Sequence, residues 1–589
     1  MPSLTAQLST IVGAAFATLG LDPSHGAVVV SSRPELAPFQ CNGALGAAKT
    51  ARLSPRQLAE AVVGAIAAPD VIAAADVAGP GFINLDVTAT HLAATLAAMR
   101  DDAHLGAGQP FAGAKVVVDY GGPNVAKALH VGHLRPAIIG ESVKRILRYA
   151  GADVLGDVHL GDWGTPMGQV ITLLAELRPD LPYFEQRHTG PYPADSPVSV
   201  DDLERLYPEA ASRAAADAEF AARARIATVK LQNGHPGYRA LWQHFRDVSV
   251  ADMQAIYADL NVSFELWYGE SRVHHRIDAM VERLRTAGVL TESEGALVVE
   301  LAEPGDAREI PPLLLVKSDG GYLYGTTDLA TVEERIDELG ADAVFYVVDA
   351  RQALHFEQVF RAARRGGIAP PQVVLEHDSF GTVNGSDGKP LRTRDGGLPG
   401  LRSLVAAAVE RAAERLTAND LATEYPEEER RAIAAAVGIA ALKYGDLQNH
   451  RTSDYVFDLD RFVSFEGKTG PYLLYGAVRI QSILRNAAAR GFAPGAVIAP
   501  ARTAERDLML RIARFPDVLA RSVELRAPNH IAEYAYDVAT DFNRFYEACH
   551  ILSEPDPTRR TSWLALVELT LRLLRTLLDL LAIDLPERM

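Results

Sequence analysis

The sequence predicts an α/β protein organised around a parallel β-sheet, with a small α/β unit before it and an all-α helical bundle after it. In residues 111–400, short apolar runs alternate with segments of helical spacing, as expected of parallel strands joined by crossover helices. From about residue 401 the spacing is helical almost throughout. Because 589 residues are too many for one hydrophobic core, we expect domains at 1–110, 111–400 and 401–589.

The composition is that of an ordinary globular protein, with 48% hydrophobic and 23% charged residues. No uninterrupted apolar run is long enough to span a membrane, and the chain does not open with a basic segment followed by an apolar stretch. Its only cysteines are Cys41 and Cys549, which leaves no disulfide framework and no cysteine-based zinc site. We therefore expect a cytoplasmic protein that has no contact with membranes and no structural metal.

The net charge of −17 is unusual for a protein that binds RNA, but the distribution of charge matters more than its total. Residues 441–589 contain equal numbers of basic and acidic side chains, so the whole excess of acid lies in residues 1–440. A neutral C-terminal region can still present a basic face. Charge alone neither predicts nor excludes a nucleic-acid partner.

The first predicted domain starts with helical spacing at Leu4 and Leu8 and continues into a short β run at 27–30. A second helix is predicted to begin after Asn42, and a turn rich in Gly and Pro then leads into a strand that contains Asn84. This pattern predicts the small α/β unit.

The predicted sheet domain opens with an apolar run at 116–118, a turn rich in Gly, Pro and Asn, and a helix from Leu134. Residues from roughly 179 to 315 are predicted to contain insertions, which begin with a polar, proline-rich stretch. Further strand-like runs lie at 264–268, 296–301, 313–316, 344–348 and 372–375. The helices predicted for the C-terminal bundle cover 430–442, 472–489, 506–520, 530–546 and 563–581.

The segment 119–133 carries the clearest indication of chemistry. It joins a predicted strand to a predicted helix, so that His130, Gly132 and His133 fall at the start of the helix. A helix N-terminus presents free backbone N–H groups that attract phosphate, histidines add side-chain donors, and glycine lets a nucleotide approach the backbone. A plain histidine pair at a helix start is the simpler interpretation of the tetrapeptide alone. The position between strand and helix favours the phosphate site.

The tetrapeptide 130–133 resembles the HxGH signature of class I aminoacyl-tRNA synthetases, and residues 123–135 resemble the arginyl-tRNA synthetases in particular. The resemblance implies a Rossmann-like catalytic domain, an N-terminal α/β domain that contacts tRNA, and a helical anticodon-binding domain. It also implies activation of L-arginine with ATP and Mg²⁺, followed by transfer to the terminal adenosine of tRNA(Arg). The motifs that carry the resemblance run in order from about Asn42 to Met589.

The resemblance implies that His130 and His133 are catalytic and that both bind ATP together with Gly132. A second group of cations is expected from the Gly-rich stretch 384–397, which corresponds to the mobile KMSKS loop of the class. A solvated basic hairpin is the alternative for this stretch.

The loop departs from the KMSKS motif, because Thr393 stands at the position of the second lysine. In many arginyl-tRNA synthetases the lysine before HxGH is thought to substitute, and Lys127 occupies that place. The catalytic cations expected from the loop itself are Lys389, Arg392 and Arg394, and Thr393 is expected to contact ATP.

Arginine as a substrate requires fixed carboxylates, because its guanidinium is always charged and presents a rigid fork of donors. Tyr324 and Asp328 lie four residues apart at a predicted helix start, so both can face one ligand, although Asp328 alone could be a helix cap. The pair resembles the YxxxD motif of the family, with Thr327 where arginine is common. The resemblance implies further arginine contacts at Asp119, Asn124, Glu270 and Gln352.

Asp349 and His355 follow the strand-like run at 344–348, at the edge of the sheet where ligands bind in doubly wound folds. We expect both residues on the nucleotide side of the site.

Tyr472, Tyr475 and Arg479 share one face of a predicted helix and could stack on unpaired bases of tRNA. A tyrosine pair half-buried between helices is the alternative. The resemblance adds Asn84 and Met589 as tRNA contacts.

Two other functions compete with an arginyl enzyme. A cysteinyl-type synthetase would need cysteine and histidine ligands for a metal, whereas the two cysteines of this chain are far apart in sequence. A paralogue that binds tRNA without activating an amino acid is compatible with Thr393, whereas retention of the other motif residues argues against it. We expect a monomer without an editing site, because binding alone should discriminate arginine well.

Overall fold

The computed structural model describes residues 2–185, 187–318, 320–391 and 400–589. The chain folds into two compact units. The first unit comprises Met1–Pro110, Leu416–Ala440 and Ser464–Met589, and the second comprises Phe111–Arg415 and Ala441–Val463. The N-terminal and C-terminal parts of the chain therefore belong to the same unit.

The N-terminal part of the first unit is an antiparallel sheet with strand order β1-β2-β4-β3. Its strands are β1 (Val28–Val30), β2 (Phe39–Cys41), β3 (Ile72–Ala78) and β4 (Phe82–Val87). The helices around it are α1 (Leu4–Thr18), α2 (Gly43–Ala51), α3 (Pro55–Ala65) and α4 (Ala89–Asp101). Ser3 is the N-cap of α1, and its hydroxyl accepts a hydrogen bond from the Ala6 amide. The helix buries Leu4 and Leu8.

The second unit contains the parallel sheet. Its strands are β5 (Lys115–Tyr120), β6 (Asp153–Asp157), β7 (Leu290–Ser293), β8 (Ala296–Val299), β9 (Leu313–Val316), β10 (Ala343–Val347), β11 (Val374–His377), β12 (Val383–Asn384) and β13 (Tyr455–Val456). Its helices are α5 (Leu134–Tyr149), α6 (Thr165–Leu177), α7 (Val200–Ala216), α8 (Ala218–Gln232), α9 (Pro236–Asp259), α10 (Glu270–Thr286), α11 (Tyr324–Asp337), α12 (Ala353–Arg365), α13 (Leu401–Ala418), α14 (Glu427–Leu447) and α15 (Leu459–Phe462). Helices α13 and α14 each contribute residues to both units.

The sheet has strand order β11-β10-β5-β6, with all neighbours parallel. Helix α5 connects β5 to β6, and α12 connects β10 to β11, as the alternating pattern predicts. A hydrophobic core lies against the sheet and includes Ile277 of α10, Leu329 of α11, Val344 of β10 and Val359 of α12. Three helices are thereby packed against the strands that carry the site.

One strand-like run of the second unit differs from the sequence-based expectation. The run at 264–268 forms no strand. Leu266 makes one isolated bridge with Asp157, and Gly269 just beyond the run makes another with Leu160, while the Phe264 ring lies 4.4 Å from the Tyr120 ring between centroids. The runs at 296–301 and 313–316 belong to a separate antiparallel sheet, β7-β8-β9, in which a tight connection lets β7 and β8 pair directly.

The C-terminal part of the first unit is helical, with α16 (Gly470–Ala489), α17 (Thr503–Ala513), α18 (Phe515–Leu525), α19 (Asn529–Ala548) and α20 (Pro557–Leu580). The prediction of a single helix at 506–520 is wrong, because α17 ends and α18 begins at Arg514. Pro516 lies in the first turn of α18, where a backbone N–H has no partner within the helix and its absence is tolerated. Within the described ranges, no helix is both long and apolar enough to cross a bilayer.

A buried ion cluster ties the middle of the sheet to helix α11. Arg335 is 1% exposed, and its Nη2 lies 2.6 Å from Asp119 Oδ2 of β5 and 2.6 Å from Asp157 Oδ2 of β6. The guanidinium contacts both buried carboxylates and compensates their charge. Helix α11 is therefore held on the sheet at a defined position.

Replacement of Arg335 by Met should destabilise the second unit by about 3–5 kcal/mol, because it leaves Asp119 and Asp157 buried without their cation. The measurement is the denaturant midpoint of the full chain, monitored with a spectroscopic probe in the second unit. The control is Arg411→Met, which removes an exposed ion pair with Asp460 and should leave the midpoint unchanged. Equal midpoints for both variants would contradict a structural role for the cluster.

Candidate active site

The site lies where the chain connections of the sheet diverge. Strands β5 and β10 are neighbours, but β5 continues to β6 on one side and β10 continues to β11 on the other. Their carboxyl ends meet, because Tyr120 pairs in register with Val347. Open α/β sheets bind ligands in the crevice at such a switch point. Two cavities lie at this edge of the sheet.

The imidazole cavity has a volume of about 680 Å³. It is lined by Asp119, Gly121, Gly122, His130, Val131, Gly132, His133, Arg135, Pro136, Val347, Val348, Asp349, Arg351, Gln352, Phe380, Gly381, Thr382, Val383, Pro390 and Leu391. The predicted ATP-binding residues His130, Gly132, His133 and Asp349 are all among them. The structure thus brings most of the predicted nucleotide side together.

Backbone hydrogen bonds orient both imidazoles. A short 3-10 helix, Val131–His133, leads directly into α5. His130 Nδ1 accepts from the Gly132 amide at 3.1 Å, and His133 Nδ1 accepts from the His130 amide at 3.0 Å. Because each Nδ1 is an acceptor, the proton of each neutral ring is on Nε2. Each ring therefore has one N–H donor to offer to a ligand.

The two imidazoles are neutral at physiological pH. Burial and the charge of Lys127 lower the pKa of His130 to about 4. Burial, His130 and Lys127 lower the pKa of His133 to about 3. The rings lie 4.0 Å apart between centroids, too close for both to carry a charge comfortably. Two neutral donors at a helix N-terminus are suited to phosphate oxygens.

Lys127 reaches this region from another side. It is exposed, follows the left-handed Ala126 (φ 66°), and lines a groove that also includes His130. The groove is next to the imidazole cavity rather than inside it. A cation at this position affects both imidazoles, as their lowered pKa values show.

Arg135 fixes one wall of the imidazole cavity. The residue is 2% exposed, pairs with Asp446 at 3.0 Å, and donates to the carbonyl oxygens of Gly381 at 2.7 Å and Ser453 at 3.1 Å. Gly381 also lines the cavity. Helix α5 is thereby tied to the segment that precedes the predicted loop of cations.

Only part of that loop lies within the described residues. Lys389 is exposed at a turn in which its amide donates to Asp387 Oδ1 at 3.1 Å, and it precedes Pro390 and Leu391 in the cavity wall. The other predicted loop residues, Arg392, Thr393 and Arg394, lie outside the described residues.

The acidic cavity has a volume of about 300 Å³ and adjoins the imidazole cavity. It is lined by Asp119, Gly122, Asn124, His159, Gly161, Glu270, Tyr324, Asp328, Thr331, Arg335, Tyr346, Val348, Gln352, His355 and Phe356. All six residues predicted to bind arginine are present. Asp119, Gly122, Val348 and Gln352 line both cavities, so the two share a wall.

Helix starts position the acidic side chains. Tyr324 and Asp328 lie in the first turns of α11, whose N-cap is Leu323, so Asp328 is not a helix cap. Glu270 is the first residue of α10. Burial, together with the charges of Asp328 and Asp162, raises the pKa of Glu270 to about 7 against the opposing effect of His159. A ligand cation would relieve this clustering of negative charge.

His355 lies in the acidic cavity, although the sequence predicted it on the nucleotide side. Its Nε2 hydrogen-bonds with Asp328 Oδ2 at 2.5 Å. It is not among the described residues that line the imidazole cavity. Gln352 is the N-cap of α12 and His355 lies in its first turn, three residues further on, so the start of this helix brings both side chains to the acidic cavity.

Sequence reasoning missed His159 and Arg335 as cavity residues. His159 has a left-handed backbone (φ 42°) directly after β6, and its Nδ1 lies 3.6 Å from Asp157 Oδ2. Burial lowers the pKa of His159, but the carboxylates of Asp157 and Asp119 outweigh it and raise the pKa to about 9. A polar residue just beyond the carboxyl end of a strand was the available signal. No local signal marks Arg335, 216 residues from Asp119 in sequence.

The predicted tRNA contacts lie in the first unit. Tyr472, Tyr475 and Arg479 form a half-exposed stripe on α16, and the Arg479 guanidinium carbon lies 4.8 Å from the Tyr475 ring centroid. Asn84 is 4% exposed on β4 and is bonded to Gln40 at 3.1 Å, so its side chain serves the sheet. Met589 is half-buried. The roles of these residues toward tRNA stay predictions.

Fold and site define a class I aminoacyl-tRNA synthetase. Residues 98–459 match the family described as "tRNA synthetases class I (R), catalytic domain", residues 473–589 match the DALR anticodon binding domain, and residues 4–87 match the arginyl tRNA synthetase N terminal domain. The chain belongs to the arginyl-tRNA synthetase family.

Relatives along the whole chain agree with this. The chain is 50% identical over 591 residues to an arginine–tRNA ligase of Maricaulis maris and 47% identical over 590 residues to one of Alkaliphilus oremlandii, with complete coverage of both proteins in each case. The crystal structure of arginyl-tRNA synthetase from Plasmodium falciparum superimposes with a TM-score of 0.82 at 25% identity, again with all of each chain covered.

The histidines of the two cavities should titrate in opposite directions from the usual value. His130 and His133 should stay neutral from about pH 5 to 8, since burial favours the uncharged ring. The pKa of His355 should lie above its ordinary value, because Asp328 stabilises the protonated ring. Histidine-selective NMR of the unliganded protein measures this, with single His→Gln variants for assignment. A titration near pH 6.5 at His130 or His133 would contradict the described geometry.

Proposed function

We propose that this arginine–tRNA ligase binds ATP in the imidazole cavity and L-arginine in the acidic cavity. The observation that supports this is the shared wall. A site with neutral N–H donors at a helix N-terminus directly adjoins a site with two carboxylates. The first suits a triphosphate, the second suits a guanidinium, and their contact lets the two substrates react.

The shared wall also sets the direction of arginine. Tyr324, Asp328 and Glu270 line only the acidic cavity, whereas Asp119 and Gln352 line both. The guanidinium pairs with the two carboxylates Asp328 and Glu270. The α-amino and carboxylate end then faces Asn124, Gln352 and Asp119, and the carboxylate points toward ATP.

In the first step an oxygen of the arginine carboxylate attacks the α-phosphorus of ATP, and the bond to the bridging oxygen of pyrophosphate breaks. The products are arginyl-adenylate and pyrophosphate. The Nε2–H groups of His130 and His133 donate to phosphate oxygens, where negative charge develops. Lys127 and the cations of the loop, Lys389 with Arg392 and Arg394, stabilise the leaving pyrophosphate.

In the second step a ribose hydroxyl of the terminal adenosine of tRNA(Arg) attacks the arginyl carbonyl. The carbon–oxygen bond to phosphate breaks, AMP leaves, and the hydroxyl proton is released. The tRNA is held through the face of α16 that carries Tyr472, Tyr475 and Arg479, with Met589 as a further contact, whereas the buried Asn84 is left out of this interface.

Mg²⁺ would enter with ATP and would neutralise charge on the phosphates. Among the described residues of the imidazole cavity, the carboxylates are Asp119 and Asp349, and each is already paired with an arginine, Arg335 or Arg351, at 2.6 Å. The described residues of this cavity therefore offer the ion no unpaired carboxylate. We further propose that the protein acts as a cytoplasmic monomer.

Replacement of Asp328 by Asn should raise the KM for arginine by roughly 100-fold or more, because the guanidinium loses a charged partner in a confined site. The KM for ATP should change by less than about threefold. Steady-state aminoacylation of tRNA(Arg) measures both constants.

The matched control is Asp337→Asn at the exposed end of the same helix, where the carboxylate is 59% exposed. It should leave both constants near wild type. Equal effects of Asp328→Asn on the two substrates would place Asp328 outside the arginine site and defeat the proposal.

Replacement of Tyr475 by Ala should weaken tRNA(Arg) binding by roughly 10-fold to 100-fold, because stacking on one base is worth about 1–3 kcal/mol. Tyr475→Phe keeps the ring and should bind nearly as wild type. The exposed Tyr546 of α19 gives a control in the same unit through Tyr546→Ala. Filter binding at fixed salt measures the Kd, and an unchanged Kd for Tyr475→Ala would remove this residue from the interface.

A further inference from the structure

A histidine is bonded to the carboxylate that we assign to the guanidinium of arginine. His355 projects from the first turn of α12, and Asp328 projects from the first turns of α11. Their side chains are 30% and 27% exposed and meet inside the acidic cavity. The hydrogen bond runs from Nε2 to Oδ2, which leaves Nδ1 as the second nitrogen of the ring.

The surroundings of His355 are charged on several elements. The titratable or charged groups that share its cavity are Asp119 of β5, His159 after β6, Glu270 of α10, Tyr324, Asp328 and Arg335 of α11, and Tyr346 of β10. Arg335 is occupied by Asp119 and Asp157. Among these groups Asp328 is the partner in direct contact with His355. The ring also packs against Phe356, 5.6 Å away between centroids, which limits its movement.

We propose that His355 is a positioning residue for arginine: its Nε2–H holds the Asp328 carboxylate in place, and its Nδ1 proton leaves when the guanidinium arrives. The proposal rests on the proposed function. In the empty cavity the protonated imidazole is the cation next to Asp328. When arginine binds, the guanidinium takes over that charge, and the neutral ring keeps donating to Oδ2 through Nε2.

Charge balance supports this exchange. Asp328 raises the pKa of His355 through its hydrogen bond and its charge, against the opposing effect of burial. A guanidinium bound to the same carboxylate would be a like charge near the ring, and it favours the neutral form. A carboxylate has enough lone pairs to accept from the imidazole and the guanidinium together. The proton released from Nδ1 goes to solvent, because the ring is partly exposed.

Arginine binding must then depend on pH. Below the raised pKa of His355, arginine has to displace a proton, so the affinity falls as the pH falls, by up to about tenfold per pH unit. Glu270, with a pKa of about 7 in the empty cavity, adds a proton release of the same sign when the guanidinium binds. The contribution of His355 is therefore the difference between wild type and a variant that lacks only this ionisation.

The test is calorimetric binding of L-arginine to the full chain near pH 6.5 in buffers of different ionisation enthalpy. His355→Gln keeps a neutral N–H donor and should bind arginine with fewer protons released, by up to about one per arginine. The matched control is His377→Gln, since His377 bonds to the Val348 carbonyl at 2.9 Å and lines neither cavity among the described residues. It should release as many protons as wild type.

A second arm separates arginine from ATP. His355→Leu removes the donor and should raise the KM for arginine by roughly tenfold while leaving the KM for ATP within about twofold. Unchanged proton release in His355→Gln would overturn the proposal. A rise in the KM for ATP alone in His355→Leu would also overturn it and would place His355 on the nucleotide side. Wild-type protein that binds no arginine would defeat the proposed function itself, which is a different result.

Discussion

The geometry of the site depends on the contact of one guanidinium with two buried carboxylates. Arg335 bonds to Asp119 at the end of β5 and to Asp157 at the end of β6, and it lies on the same helix as Asp328. Seven residues of α-helix are two turns, so both side chains face the sheet edge. The ion cluster therefore fixes the register of α11 against the strands, and with it the place of Asp328 in the acidic cavity. Asp119 gains a second function from this contact, because it closes the wall between the two cavities.

The two cavities treat charge in opposite ways. In the imidazole cavity, burial keeps His130 and His133 neutral, so a triphosphate bound there as proposed would meet oriented N–H donors in addition to the cations beside the cavity. In the acidic cavity, burial and the nearby charge of Asp328 make the ionised form of Glu270 unfavourable, and the pKa of Glu270 is raised as a result. A ligand with a permanent positive charge would stabilise both carboxylates. The large acid excess of the chain is thus compatible with ATP, because the groups that face the phosphates carry no negative charge beyond two paired carboxylates.

Local sequence signals predicted the elements that carry the site, but not the contacts between them. The strand, turn and helix around 116–134 were predictable because the periodicity and the turn residues lie within twenty positions, and the same holds for the helix start at Tyr324. The pairing of Arg335 with Asp119 and the bond of His355 to Asp328 depend on which helix packs beside which strand. No periodicity encodes that. The break at Arg514 shows a smaller limit, since helical spacing continues across a proline that starts a new helix.

The same electrostatics explains why one binding step can discriminate arginine. Lysine carries the same charge but presents a point rather than a fork, so it cannot satisfy carboxylates arriving from α10 and α11 at once. A neutral side chain of similar length would leave those carboxylates desolvated and unpaired. The free energy of that desolvation is larger than the stabilisation that apolar contacts with the side chain would provide. Enzymes that select small apolar side chains gain only about 1–3 kcal/mol per methylene and need a second, hydrolytic site. A cavity whose carboxylates lack a cation does not need a second site, because an amino acid without a guanidinium leaves those carboxylates unpaired.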